Sequence, residues 1–198
     1  MLKIKIDFKS MFQKGIKEIK DDFFIRLING YQGSGKTFLA IKLCEDSREE
    51  KGRIIKTNIK SYKSTKHQII YFDSIDDIIL DTDDNITYVI DELSKRFPKE
   101  CKQHQGFYSF LQQSRKHSRH VYLITQEYIQ VPTWLRGVAN TIFTTTKVPF
   151  LPVYKTMLGT PVLSDSLEWG IEPFLYYFYK RTKKISNCYD TLESIGSL

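Results

Sequence analysis

The sequence predicts an α/β protein whose doubly wound, mostly parallel sheet forms a single domain of residues 1–198. Strand-like apolar runs alternate with helical patterns along the chain, an arrangement typical of parallel sheets covered by helices on both faces. The first buried run, Phe23–Asn29, stops at Gly30, and apolar residues at helical spacing follow over Lys36–Glu49. A hydrophobic fraction of 41% and a charged fraction of 27% are those of an ordinary globular domain.

The rest of the chain continues this alternation. A polar helix is predicted over Tyr108–His117, and the Lys-rich residues 1–22 are predicted to form an N-terminal extension with an edge strand and a short helix. Residues 147–198 are predicted to begin with an irregular, proline-rich excursion as far as Gly170, followed by a final strand and a basic tail. The other predicted strands are Arg53–Thr57, Ile69–Phe72, Thr87–Ile90, Val121–Ile124, Thr141–Thr146 and Phe174–Tyr179.

The composition excludes several classes of protein. The N-terminal residues alternate charged and apolar side chains, which is not the pattern of a signal peptide, and no apolar run approaches the ~20 residues of a membrane span. Cys44, Cys101 and Cys188 are too far apart for a zinc site built from cysteines alone. The net charge of +7, from 30 Lys and Arg against 23 Asp and Glu, is compatible with a polyanionic partner.

A complete GxxxxGK[ST] motif follows the first strand. Its glycines let the backbone approach phosphate oxygens, and its successive N–H groups form an anion-binding nest at the start of a helix. Lys36 can bind the β- and γ-phosphates, and the hydroxyl of Thr37 is a hard oxygen ligand suited to Mg²⁺. We therefore predict that the chain binds ATP with Mg²⁺. The predicted phosphate-binding residues are Gly30, Tyr31, Gln32, Gly33, Ser34, Gly35, Lys36 and Thr37.

Two carboxylates follow a later apolar strand. Asp91 and Glu92 come directly after Thr87–Ile90, so both should lie at the carboxyl end of that strand, where open α/β sheets bind ligands. Asp91 is predicted to hold Mg²⁺, and Glu92 is predicted to polarise the water that attacks the γ-phosphate.

Two further groups are candidates for assisting hydrolysis. Gln126 follows the strand Val121–Ile124, where it could contact the γ-phosphate or the attacking water as a sensor. Arg115 and Arg119 lie in a basic run just before that strand, and either could act in trans on the nucleotide of a neighbouring subunit, like an arginine finger. The alternative for this basic run is a solvated surface.

Taken in order, these motifs resemble a known family. The segments GYQGSGKT, GRIIKTNI (residues 52–59) and YVIDE, then an arginine-bearing helix leading into VYLITQ, resemble the Zot family of filamentous-phage assembly ATPases, within the FtsK–HerA superfamily. The same order is similar to that of the genome-packaging ATPases of membrane-containing DNA viruses. The resemblance covers about residues 23–146 and implies a RecA-like ASCE ATPase core. It places Lys36 and Thr37 in Walker A, Asp91 and Glu92 in Walker B, Gln126 as the sensor, and Arg115 where the superfamily tends to carry an arginine ahead of the sensor strand.

The resemblance implies an ATP-hydrolysing motor that moves viral or phage DNA into a capsid. Its expected partners are DNA bound without sequence preference, further copies of the chain in a ring, and a capsid-vertex or membrane-associated viral protein. Its expected location is the host cytoplasm or the virion. Zot-type proteins usually carry a transmembrane helix after the ATPase domain, and the lack of one in this sequence favours packaging over a Zot-like assembly ATPase at a membrane. A P-loop nucleoside kinase is an alternative of another class.

Two basic clusters are candidates for contacting DNA phosphates, which need positive charge and little base specificity. The alternative for both clusters is ordinary solubilising charge. The first cluster follows Glu92 and the second follows the last predicted strand. Their members are Lys95, Arg96, Lys99 and Lys102, and Lys180, Arg181, Lys183 and Lys184.

Overall fold

The computed structural model of the chain describes residues 24–93, 105–151, 153–164 and 168–190. The predicted extension at residues 1–22, the first basic cluster at residues 95–102 and Cys101 lie outside these ranges. The strands are β1 (Ile25–Asn29), β2 (Ile54–Thr57), β3 (Ile69–Tyr71), β4 (Ile86–Ile90), β5 (His120–Ile124), β6 (Thr141–Lys147), β7 (Val153–Leu163) and β8 (Trp169–Lys180), and the helices are α1 (Lys36–Asp46), α2 (Asp76–Ile79), α3 (Gln105–Gln113), α4 (Thr133–Val138) and α5 (Lys183–Ser186).

The eight strands form one sheet in the order β3-β2-β4-β5-β1-β6-β7-β8. The first six strands of the chain run parallel to one another, and β7 and β8 are antiparallel additions at one edge. Helices α1 and α5 pack on one face of the sheet, whereas α2, α3 and α4 pack on the other. The predicted doubly wound, mostly parallel sheet is therefore confirmed.

The central strands are buried on both faces. All five residues of β1 (IRLIN), β4 (ITYVI) and β5 (HVYLI) are buried, as expected when helices cover both sides of a parallel sheet. On β1, Leu27 joins the core beneath α3 and α4, while its neighbour Ile28 joins the core beneath α1. The alternation of side chains along one strand thus supplies two separate hydrophobic cores.

The structure corrects the prediction of an irregular excursion over residues 147–170. Residues 153–163 form β7, which pairs with β6 and with β8 as part of a long antiparallel hairpin. The prolines that suggested irregularity do not interrupt the pairing of β7. Pro149 precedes the strand, and Pro161 lies beyond Gly159, the last residue of β7 that pairs with β6. The hairpin also has a register shift between Leu158 and Gly159, opposite Pro173 of the edge strand β8. The predicted strand Phe174–Tyr179 is the second half of the much longer β8.

The predicted helices are present with shifted bounds. Helix α1 ends at Asp46 rather than Glu49, because the next residue, Ser47, adopts an extended backbone. Helix α3 covers Gln105–Gln113 instead of Tyr108–His117. Within the described ranges, no helix combines the length and the apolar character needed to cross a bilayer.

A buried ionic network crosses the amino-terminal ends of β1, β4 and β5. The fully buried carboxylate of Glu50 accepts hydrogen bonds from the Tyr122 hydroxyl (2.7 Å) and the Thr87 hydroxyl. His120 Nδ1 lies 2.8 Å from the same carboxylate, and Arg26 Nη1 lies 3.5 Å from it. Because its partners sit on three strands, Glu50 fixes the loop after α1 to the sheet.

Its surroundings set the ionisation of Glu50. Burial by itself raises the pKa of a carboxyl group, but hydrogen bonding and charge from His120, the hydrogen bond from Thr87 and the charge of Arg26 outweigh that effect. Together they lower the pKa of Glu50 from 4.5 to about 2. The folded state therefore prefers the ionised form of Glu50 more strongly than the unfolded chain does.

Glu50→Gln should lower the free energy of unfolding at neutral pH by about 3 kcal/mol, at about 1.4 kcal/mol per pKa unit. A carboxylate whose pKa is depressed on folding stabilises the protein above its unfolded pKa, near 4.5, and loses that contribution as the pH falls towards about 2. The variant should thus show a flatter stability profile than the wild type across this window. Urea denaturation from about pH 7 down to about pH 3 measures both effects.

Glu49→Gln is the matched control. The side chain of Glu49 is 23% exposed and pairs with Arg26 at 3.0 Å, so this variant should keep most of the acid dependence. If Glu50→Gln retained the acid profile of the wild type, the carboxylate of Glu50 would not be its source.

Candidate active site

The loop between β1 and α1 has the shape of a phosphate cradle. Gly30 has φ 147° and Gly35 has φ 86°. A Cβ on Gly30 would lie 2.4 Å from the carbonyl oxygen of Thr145, and one on Gly35 would lie 2.8 Å from the ring of Tyr154. The loop is therefore held against β6 and β7 at distances that only glycine allows, which leaves its outer side open to a ligand.

Three loop residues are largely in solvent, and one is anchored. Tyr31, Gln32 and Gly33 are exposed, and the ring of Tyr31 is 79% accessible. Ser34 is buried, and its hydroxyl is 2.8 Å from the hydroxyl of Thr145. The middle of the loop can thus contact a ligand directly, whereas Ser34 fastens the loop to β6.

Lys36 lies at the first position of α1 and bridges the loop. Its ammonium donates to the carbonyl oxygens of Gly30 (2.8 Å) and Tyr31 (3.0 Å). Burial lowers the pKa of Lys36, while the nearby Asp91 carboxylate opposes that shift. The ammonium is thus already inside the cradle, held by loop carbonyls that a phosphate oxygen could replace as acceptors.

Asp91 and Thr37 meet at the carboxyl edge of the sheet. The Thr37 hydroxyl donates a 3.0 Å hydrogen bond to the carboxylate of Asp91, although 54 residues separate them. The backbone N–H of Glu92 donates to the other carboxylate oxygen at 2.8 Å. Burial raises the pKa of Asp91, and these two hydrogen bonds oppose the rise. A hydroxyl and a carboxylate side by side are donors that suit Mg²⁺, so the residues fit the predicted ion.

Asn58, just beyond the end of β2, fixes the position of Asp91. Its side-chain oxygen accepts the backbone N–H of Asp91 at 2.7 Å, and its side-chain amide donates to the carbonyl of Asp91 at 3.1 Å. Sequence reasoning gave this residue no role. The available signal was its place at the carboxyl end of a strand, within the GRIIKTNI segment on which the family resemblance rests.

Glu92 has an unusual backbone. Its φ of 55° is in the left-handed region, where a residue with a Cβ is strained. Strain of this kind is typical of functional sites, because the surrounding structure must hold it in place. Glu92 is half-buried and directly follows Asp91, so its carboxylate belongs to the same edge of the sheet as the phosphate cradle.

Gln126 also lies at this edge. Its carbonyl accepts the backbone N–H of Gly30 at 3.2 Å, and its side chain is exposed. The preceding residue, Thr125, is buried and donates its N–H to the carbonyl of Ile28 at 2.9 Å. The structure thus brings Gln126 next to the first residue of the phosphate loop, and its action as a sensor stays a prediction.

The two candidate arginines lie elsewhere. Because β5 runs parallel to β1, the residues just before β5 are at the amino-terminal edge of the sheet, opposite the phosphate loop. Arg119 is 2% exposed, donates to the carbonyls of Asp81 and Asp83, and lies over the ring of Phe110. It is a structural residue, and the hypothesis that it acts in trans is wrong. Arg115 is exposed at the same edge, so its action in trans stays a prediction.

An aromatic layer that sequence reasoning missed supports the phosphate loop. The rings of Tyr154 and Tyr179 stack on each other with centroids 5.4 Å apart, and both stack on Phe38 of α1. The Tyr179 hydroxyl donates to the carbonyl of Gly35 at 3.4 Å. The hairpin β7–β8 is therefore part of the scaffold of the phosphate loop.

Comparison with solved structures identifies the fold. The N-terminal domain of zonular occludens toxin from Neisseria meningitidis superposes with a TM-score of 0.62 at 19% identity, covering 84% of this chain and 98% of that one. The genome packaging NTPase B204 from Sulfolobus turreted icosahedral virus 2, solved with sulfate, superposes with a TM-score of 0.54 at 16% identity, covering 79% and 99%. The chain has the fold of these proteins.

The same NTPase solved with AMP gives a TM-score of 0.53 at 17% identity, covering 79% of this chain and 100% of that one. No protein-family profile matches the chain, and no curated protein matches it by sequence. At these identities the likeness concerns the fold alone, and at that level it confirms both resemblances drawn from the sequence motifs.

Asn58→Ala should weaken ATP binding in the presence of Mg²⁺ much more than in its absence. Loss of two hydrogen bonds releases the backbone of Asp91, and it should also lower the free energy of unfolding by about 1–3 kcal/mol. Isothermal titration calorimetry with and without Mg²⁺ measures the difference. The control is Asn187→Ala, which removes an exposed amide beyond α5. An equal loss of affinity under both conditions would show that Asn58 does not act through Asp91.

Proposed function

We propose that the chain is an Mg²⁺-dependent ATPase. The 3.0 Å hydrogen bond between Thr37 and Asp91 supports this most directly, because it joins the phosphate loop to the strand-end carboxylates in one site. Lys36 would exchange its two loop carbonyls for oxygens of the β- and γ-phosphates. Thr37 and Asp91 would hold Mg²⁺, which neutralises charge on the phosphates.

Three further residues would act on the hydrolytic step in this proposal. Glu92 would accept a hydrogen bond from the attacking water and orient it towards the γ-phosphate. Gln126, beside Gly30, would contact the γ-phosphate or that water. Arg115 would act in trans, at the interface between two copies of the chain in a ring.

Glu92→Gln should abolish turnover while ATP affinity stays close to that of the wild type, because an amide polarises water poorly but still fits the site. A loss of about a hundredfold or more in the rate is expected from removing a general base. Phosphate release and nucleotide binding, measured on the same preparation, separate the two effects.

Lys36→Ala is the comparison variant and should lose nucleotide binding itself. Circular dichroism should show both variants folded, since Lys36 and Glu92 are at most half-buried. If Glu92→Gln lost affinity as severely as Lys36→Ala, Glu92 would belong with the ion ligands, and its assignment to the water would be wrong.

We further propose that hydrolysis drives translocation of viral or phage DNA into a capsid, as in a motor of the FtsK–HerA type. Support comes from the fold shared with the genome packaging NTPase B204. It also comes from the exposed basic residues at the end of β8 and in α5. The partners of this motor would be DNA, other copies of the chain in a ring, and a viral protein at the capsid vertex or at a membrane.

A Zot-like assembly ATPase acting at a membrane is the second candidate. It is favoured by the superposition on zonular occludens toxin, which has a higher TM-score and covers more of the chain than that on B204. The two candidates share the ATPase site and differ in what the motor moves, DNA alone or a protein-coated filament.

DNA should raise the ATPase rate, and this stimulation should fall steeply with salt. Around four phosphate contacts per subunit give a slope of log K against log salt near −3 to −4 on a duplex. Replacing the four basic residues from the last residue of β8 to the second residue of α5 by alanine should flatten the slope without changing hydrolysis in the absence of DNA. These residues are Lys180, Arg181, Lys183 and Lys184.

Lys51→Ala combined with Lys63→Ala is the control, because it removes two exposed charges from other loops. It should leave the salt slope nearly unchanged. Stimulation by a nucleoside instead of DNA, or a wild-type response that does not vary with salt, would argue against translocation and for a kinase or a protein-directed ATPase.

A further inference from the structure

The hairpin β7–β8 has two faces with opposite roles. The side chains of Tyr154, Tyr177 and Tyr179 are buried against α1 and the phosphate loop. Their neighbours in the sequence, Lys155 on β7 and Phe178 on β8, point to the other side of the sheet because side chains alternate along a strand. This second face, formed by Lys155, Met157, Tyr176 and Phe178, is called the outer face below.

Strand pairing arranges the outer face in two rows. Thr146 of β6 is opposite Lys155, which is opposite Phe178, and the next row runs from Thr144 through Met157 to Tyr176. Thr144 accepts a 3.2 Å hydrogen bond from the side-chain amide of Asn29, the last residue of β1. The outer face therefore begins beside the strand end that leads into the phosphate loop.

Aromatic rings on this face are accessible to solvent. Tyr176 is 47% exposed, and Phe174, which lies at the register shift where the outer face ends, is 50% exposed. The ammonium of Lys155 lies 4.5 Å from the centroid of the Tyr176 ring. Large rings left in water at a sheet surface, with a cation beside them, are characteristic of single-strand-binding platforms.

The segments that form the outer face and its end carry only positive charge, and Glu172 of β8 lies beyond the register shift. In the sequence, residues 144–158 and 174–184 contain six Lys or Arg and no Asp or Glu. This is a local excess over the chain as a whole, where 30 basic residues are balanced by 23 acidic ones. A positive field of this kind attracts a polyanion and repels a basic protein surface. The six residues are Lys147, Lys155, Lys180, Arg181, Lys183 and Lys184.

We propose that the outer face binds single-stranded nucleic acid, with bases stacked on Tyr176 and Phe174 and phosphates near Lys155 and Lys180. In a duplex the faces of the bases are stacked on one another, so exposed aromatic rings add little to its binding. In a single strand each base can stack on a ring. This inference rests on the proposed DNA motor and specifies the form of nucleic acid that contacts the chain beside its ATP site.

The test compares Tyr176→Ala with a matched variant on the other edge of the sheet. Tyr71 of β3 is 40% exposed and also has a lysine ammonium over its ring, that of Lys60 at 5.7 Å. Among the strands that the structure describes, β3 pairs with β2, and the residues opposite Ile69, Ile70 and Tyr71 are Ile55, Lys56 and Thr57, none of which is aromatic. Tyr71→Ala thus removes a similar exposed ring outside the outer face.

Fluorescence anisotropy would use a labelled oligothymidylate longer than the roughly 4–16 nucleotides that one single-strand-binding domain covers. Tyr176→Ala should weaken binding about tenfold, the effect of losing one stacked base, and Tyr71→Ala should change it by less than about twofold. Lys155→Ala should reduce the magnitude of the salt slope by about 0.7, the value for one phosphate contact on a single strand. A duplex of the same length should bind more weakly and respond little to Tyr176→Ala.

Equal binding of single strand and duplex, with Tyr176→Ala like the wild type, would overturn the inference. A second contradicting result is a Tyr176→Ala variant that has a lower mass in solution than the wild type but the same DNA affinity. The outer face would then contact another copy of the chain. If the protein bound single strands through Tyr176 but did not hydrolyse ATP, only the proposed motor would be contradicted. Thermal denaturation of each variant confirms that it is folded.

Discussion

The contact between Thr37 and Asp91 depends on the topology of the whole sheet. These residues follow β1 and β4, which are not neighbours, since β5 lies between them. Their side chains meet because all three strands are parallel and end at the same edge, and because α1 starts directly at that edge. A site of this kind cannot form from either motif alone. It requires the complete parallel core, and the two hydrophobic layers that cover this core therefore also stabilise the active site.

The parts of the molecule that could be predicted from sequence are those with local signals. The phosphate loop, Asp91, Glu92 and Gln126 each follow an apolar strand, and the parallel fold then brings them to one edge. Asn58 and the aromatic layer under the loop were missed because their roles depend on contacts between distant segments. The strand β7 was missed for a different reason: prolines argue against a strand in general, but Pro161 lies where β7 no longer pairs with β6. The prediction for Arg119 failed because this residue precedes β5, and the start of β5 lies at the edge of the sheet opposite the phosphate loop.

The two edges of the sheet have different chemistry. At the carboxyl edge, polar groups are partly exposed, the backbone of Glu92 is strained, and Lys36 is bonded only to loop carbonyls. At the amino edge, Glu50 and Arg119 are buried and their hydrogen bonds are made within the protein. Ionic groups at the amino edge thus contribute to the stability of the fold, whereas those at the carboxyl edge are arranged for a ligand. Substitutions at the two edges should accordingly affect different properties.

The register shift beside Pro173 affects how copies of the chain can associate. An exposed edge strand normally offers a ladder of N–H and C=O groups to which another molecule can add a strand, and this is a common route to aggregation. On β8 that ladder is interrupted, because proline has no N–H and the bulge bends the strand at the same point. Continuous sheet extension through β8 is therefore disfavoured, and this edge of the protein can remain accessible without promoting fibre growth.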